Sequence, residues 1–163
     1  MNGFLATWQF TRGRLAQSWE DLSDTQLHWR SPEGENSIAE ILAHIAGCEH
    51  FLGKRLLSED PVASAYDAKL DAGARAVFLN EESCPWSAEE LGHDGLSAML
   101  AASAATSERA LGEGFEGRQD KEQDSPLGAT ITGFGAAQRM AQHAGYHTGQ
   151  IWMLRRHPQF PKS

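Results

Sequence analysis

The chain predicts an all-α fold, a four-helix bundle with a long connection between the second and third helices. Two observations carry that prediction. Four stretches place apolar residues at the three- and four-residue spacing of a helix, and no stretch shows the sustained two-residue alternation of a half-buried strand. The length agrees: 163 residues suffice for one domain, residues 1–163, with a real hydrophobic core and fall short of two comfortable ones.

The first helix is expected from about Phe4 to Asp21, with Leu5, Trp8, Leu15, Trp19 and Leu22 as its apolar positions. Ser23 and Gln26 then form an S-x-x-Q capping box for a short turn through Leu27 to Trp29, which Pro32 ends. The second helix opens at Ser37 with Glu40 three residues on, a second capping box. Ile38, Ile41, Ile45, Leu52 and Leu56 continue it, and Pro61 marks its outer limit. Residues 61–86 form the connection, with a helical piece around "DAKLDAGARAVFL". The third helix is read from a cap at Ser87, backed by Glu90, through "LSAMLAASAATSERAL" in spite of Gly92 and Gly95. The polar, glycine-rich "GEGFEGRQDKEQDSP" is a loop. The fourth helix runs from about Ile131 to Arg156 and stops before Pro158, with Arg155, Arg156 and His157 complementing its C-terminal dipole.

Composition excludes several classes. A formal net charge of −8 and a pI near 5.3 argue against a nucleic-acid surface, which needs a basic stripe to displace counterions. No apolar run approaches the ~20 residues of a membrane span. The opening "MNGFLATWQF" lacks the basic and apolar regions of a signal peptide. Cys48 and Cys84 are too few and too separated for a disulfide framework or a CxxC redox motif. The expectation is a soluble, cytoplasmic protein acting on a small molecule, with neither nucleic acid nor membrane as partner.

The chemistry concentrates in "QHAGYHTGQI", residues 142–151, where two histidines stand four apart. Such a pair lies on one helical face, one turn apart, so both rings can reach a single ion; the alternative is a pair of ordinary packing histidines. At about 100° per residue, His143 and His147 share a face with Met140, Ala144, Ile151 and Leu154 and point into the bundle. Bundles build metal sites from facing helices, so a third ligand belongs on another helix. His44 fits, about 100° off the Ile45–Leu52 stripe of the second helix, where the wall of a cleft would be. His28, His50, His93 and His157 are expected to be solvated or locally hydrogen-bonded. Cys48 reads as a small buried hydrophobe. Arg55, about three turns from His44, is a candidate anchor for a substrate carboxylate beside the plainer reading of a solvent-facing charge. On the last helix Gly145, Gly149, Ala141 and Thr148, with Trp152, form a small-residue side that suits either a homodimer interface or packing against the first helix.

"SIAEILAHIAGCEHFL", followed some hundred residues later by "HAGYHTGQI", resembles the DinB-like superfamily of DinB and YfiT-type helical bundles, and "LHWRSPEGENSIAE" is similar to that family's entry into its second helix. The resemblance implies a DinB/YfiT-type bundle in which one histidine of the second helix and the HxxxH pair of the last hold a divalent metal, here His44, His143 and His147. Glu49 matches a frequent acidic position. Many members read H-E-x-H-H-R-G-Q at the last motif; this chain carries Ala144, Tyr146 and Thr148 at the acid, the extra histidine and the arginine, and keeps Gly149 and Gln150. Three imidazoles leave at least one coordination position open, a catalytic rather than a structural geometry for zinc, and nickel, cobalt or manganese suit the same nitrogens. Zinc and nickel are the foremost candidates. The resemblance implies an ion that activates a low-molecular-weight thiol for transfer to an electrophile; a hydrolase using bound water and a non-catalytic metal-bound stress-response or binding protein are the alternatives. Tyr146 and Gln150 are placed to hydrogen-bond a ligand or to orient a histidine.

Overall fold

The computed structural model describes residues 3–34, 36–79, 83–125 and 129–162. Met1 and Asn2 of the opening stretch, 80–82 of the connection and Pro126 of the polar loop lie outside them. In chain order the helices are α1 (Gly3–Ala16), α2 (Asp24–Leu27), α3 (Ile38–Leu56), α4 (Ala65–Leu79), α5 (His93–Leu111) and α6 (Gly133–Arg155). The long helices α1, α3, α5 and α6 make the four-helix bundle, and α4 occupies the connection between the second and third of them. No helix among the described residues is long and apolar enough to cross a membrane.

Helix α3 is central, packing against α4, α5 and α6, while α1 lies chiefly on α6. Its start follows from sequence: Ser37 Oγ accepts the Glu40 N–H at 3.3 Å, and Glu40 Oε2 accepts the Ser37 N–H at 2.9 Å. Three neighbours bury nearly its whole circumference, including His44 at 3 % exposure. The sequence put His44 at the wall of a cleft, and there it lies, with α4 packed over the same flank of the helix. The approach of α4 depends on Gly47, where a Cβ would stand 2.3 Å from the Leu70 carbonyl oxygen and 2.8 Å from Ala74 Cβ.

Two apolar clusters fill the bundle. One gathers Trp19, Leu27, Ile38, Leu42, Leu96 and Ile151; the other gathers Trp8, Leu52, Leu56, Leu111, Phe115 and Met140. On α6 they meet around position 143, since Met140 belongs to one and Ala144 to the other.

Three elements depart from the sequence reading. Helix α1 ends at Ala16 rather than Asp21, because the Ser18 hydroxyl donates to the Leu15 carbonyl at 2.6 Å and the backbone tightens into turns; Trp19 and Leu22 remain buried. The Ser87–Glu90 capping box forms, with bonds of 2.8 and 3.2 Å, but closes only one turn. Helix α5 starts at His93, whose N–H donates to Asp24 Oδ1 at 3.0 Å. The Glu90 carbonyl oxygen sits 2.1 Å from where a Cβ on residue 95 would be, so Gly95 is what lets the turn fold over the helix start. Finally, β1 (Glu122–Asp124) and β2 (Thr130–Thr132) pair antiparallel, with Gln123 opposite Ile131, where no strand was expected. Three-residue strands are too short to show alternation. Thr132 then caps α6, its Oγ1 accepting the Gly135 N–H at 3.2 Å.

The small-residue side of α6 meets α1: Ala141 and Thr148 are buried, and a Cβ at Gly145 would touch Thr11 Cγ2 at 3.8 Å.

Candidate metal centre

The structure brings His44 of α3 together with His143 and His147 of α6. Their Nε2 atoms converge, with His143 Nε2 2.9 Å from that of His44 and 3.0 Å from that of His147. Two opposite nitrogens are anchored. His44 Nδ1 donates to the Ala74 carbonyl of α4 at 2.6 Å, and His147 Nδ1 donates to Gln150 Oε1 at 2.6 Å. An amide or backbone carbonyl only accepts, so the proton of each neutral ring stands on Nδ1 and the lone pair on Nε2. His143 Nδ1 is buried without a partner among the described residues.

Burial is the chief reason all three rings resist protonation. It pulls His44 down to about 4, against the opposing Ala74 hydrogen bond and with help from the His147 charge. It pulls His143 down to about 3, reinforced by the charges of His147, His44 and Arg139. His147 is lowered by burial, opposed by its bond to Gln150. Neutral rings with converging lone pairs are an electron-rich point that one proton cannot satisfy on three sides. These three residues could hold a metal ion, and their donor set fits a divalent borderline-soft cation.

Other candidates fall elsewhere. Cys48 Sγ lies 3.8 Å from His44 Nδ1, outside the converging set, and burial pushes its thiol up to about 12. His50 is buried between Asp67, 2.8 Å from Nε2, and Thr106, 3.2 Å from Nδ1. His93 reaches the Glu20 carbonyl at 3.1 Å, and His157 faces Glu33 at 3.7 Å. Arg55 is not a wall of the histidine pocket: it stacks on Phe51 and lines a separate polar hollow with Glu59, Asp60 and Lys121.

The trio forms part of the wall of a pocket of about 560 Å³. Phe51, Leu52 and Met140 give it an apolar lining, and Tyr146 stands at its edge, 59 % exposed, accepting a hydrogen bond from Gln150 at 3.3 Å. Its charged groups are Glu49, Asp71, Arg75 and Arg139. Glu49 is fully buried beside Arg12 Nη1 at 3.5 Å, and burial raises its carboxyl against that charge. Asp71 pairs with Arg75 at 3.1 Å. Sequence reasoning passed over Arg139, although it lies one turn before His143 and therefore on the same face of the helix.

The chain matches the family model described as the DinB superfamily over residues 7–151, a span that includes all three histidines. No curated protein and no solved structure matches it.

Proposed function

The chain belongs to the DinB superfamily, and from that premise we propose that it is a divalent-metal-dependent enzyme that activates a low-molecular-weight thiol for S-transfer to an electrophile. The observation that carries this reading is the convergence of three imidazole lone pairs at the wall of a pocket large enough for a small molecule. A bound divalent ion would act there as a Lewis acid, lowering the pKa of a coordinating thiol toward neutrality.

The residues supply the rest. The Ala74 carbonyl and Gln150 fix two ring orientations. Phe51, Leu52 and Met140 exclude water from one side. A thiol, whose ordinary pKa is about 8.5, needs far less acidification than water to become the nucleophile at such an ion.

The test starts with elemental analysis of protein purified without an affinity tag. Bacillithiol, mycothiol or glutathione is then offered with monochlorobimane as the electrophile. Adduct formation is expected to exceed the metal-stripped control, to recover on metal return, and to be lost in His147→Ala, with circular dichroism reporting the fold. Turnover indifferent to chelation, or absent for every thiol with metal bound, refutes the reading and leaves a non-catalytic metal-binding protein.

A further inference from the structure

The arginines around the histidine pocket are not all paired. Its two acids each have a cation beside them: Arg12 approaches Glu49 at 3.5 Å and Arg75 approaches Asp71 at 3.1 Å. One guanidinium is left over. Arg139, partly buried on α6, donates from Nη1 to the Ser125 hydroxyl at 2.9 Å and has no ion-pair partner among the described residues. In a chain of net charge −8, carboxylates are plentiful, yet none among the described residues is set against it. The pocket therefore presents one guanidinium without an ion-pair partner among the described residues, in a lining shared with the apolar Phe51, Leu52 and Met140.

We propose that Arg139 binds the carboxylate of the substrate, so that the pocket selects molecules with an apolar body and one carboxylate. The inference rests on the reading of this pocket as the substrate site. Ser125 holds one arm of the guanidinium, which leaves its remaining N–H donors for a planar carboxylate to engage side by side. One unpaired guanidinium matches one carboxylate. Arg139 precedes His143 by four residues on the same helix, so the carboxylate is held on the helix face that carries His143 and His147. Phe51, Leu52 and Met140 line the same pocket and suit an aromatic or aliphatic body. Arg75 is the weaker candidate, because Asp71 already occupies it and half of its side chain lies in solvent.

The probes are phenylacetate and its neutral isostere phenylacetamide, titrated by calorimetry into the protein as purified and after chelation, with metal content measured on each sample. Wild type is expected to bind phenylacetate at least tenfold more tightly than phenylacetamide. Arg139→Met is expected to weaken phenylacetate at least tenfold and to leave phenylacetamide unchanged. Arg139→Lys keeps the charge without the fork and falls between. Metal content should not change in either variant, and circular dichroism verifies the fold. The preference should survive chelation, which separates Arg139 from direct coordination of the carboxylate by an ion. Equal binding of phenylacetate by wild type and Arg139→Met, or a wild-type preference for the amide, overturns the assignment. Failure of the protein to take up metal refutes the proposed enzyme, while the Arg139 comparison in the chelated protein still decides this inference.

Discussion

Replacing Gly47 by alanine tests whether the connection helix sets the state of the candidate site. The new Cβ would lie 2.3 Å from the Leu70 carbonyl oxygen, which is backbone and cannot rotate away. Relieving the contact needs a retreat of α4 by about 1 Å, because packed interiors leave no room to absorb it. Ala74 is on the same helix one turn on, so its carbonyl moves with Leu70. The bond to His44 Nδ1, 2.6 Å long, then stretches to about 3.6 Å, beyond hydrogen-bonding distance. Two consequences follow. Overpacking costs about 1–3 kcal/mol, offset by the helix preference of alanine over glycine, about 1 kcal/mol. The net loss of up to about 2 kcal/mol lowers Tm by up to about 8 °C for a chain of this size. Losing the acceptor that orients a candidate ligand should weaken divalent-metal binding about 10- to 100-fold. Thermal unfolding with and without chelator, beside competition against a chromophoric chelator, measures both. If Gly47→Ala keeps wild-type metal affinity and an unchanged Tm, close α3–α4 contact is not what fixes His44.

Gln150→Leu removes the acceptor of His147 Nδ1 without touching a converging nitrogen. Metal affinity should fall about 10- to 100-fold with the helix content unchanged, and an unaltered affinity would deny Gln150 any positioning role. Asp67→Asn should cost about 1.5–3 kcal/mol at neutral pH, the range for hydrogen bonds to a charged group, since His50, Lys54 and the Ser64 N–H all converge on this carboxylate. Burial pushes Asp67 up, but hydrogen bonds from Lys54, His50 and Ser64 outweigh it and hold the carboxyl below its ordinary 3.8. Its contribution is therefore complete above about pH 4 and is lost as pH falls through the folded value. Urea midpoints of wild type and variant should keep a constant gap above about pH 4 and converge as pH falls below it; a gap that stays constant into that acid range contradicts this account.

Much of this was legible in the residues themselves. The capping boxes at Ser23 and Ser37 start α2 and α3 as read, because a cap acts within one turn. The same locality explains the error at Ser87: the box specifies a turn, and Gly92 and Gly95 decide that the helix restarts after it. The three histidines were legible because four-residue spacing fixes a face whatever surrounds it. What surrounds His44 was not. The carbonyl of Ala74 carries no side-chain signature, and its contact with His44, thirty residues away in sequence, depends on an approach that Gly47 permits. That Arg55 lines a separate hollow was set by tertiary packing, whereas Arg139 was overlooked although its four-residue spacing from His143 places it on the trio's face.

The bond between His50, Asp67 and Thr106 has the membership of a hydrolytic triad: hydroxyl, imidazole and carboxylate, in contact and in order. Its surroundings give it a different role. Thr106 is 6 % exposed and also within 3.3 Å of the Ala102 carbonyl, so no scissile bond can reach its oxygen. Asp67 takes the proton of Nε2, the hydroxyl stands against Nδ1, and the ring has no valence to spare. His44 and His147 share its chemistry and its burial, yet each has one nitrogen tied and one aimed at open company. In this bundle, reactivity belongs to the imidazole with an unanswered lone pair, and a fully answered one serves as a rivet between three helices.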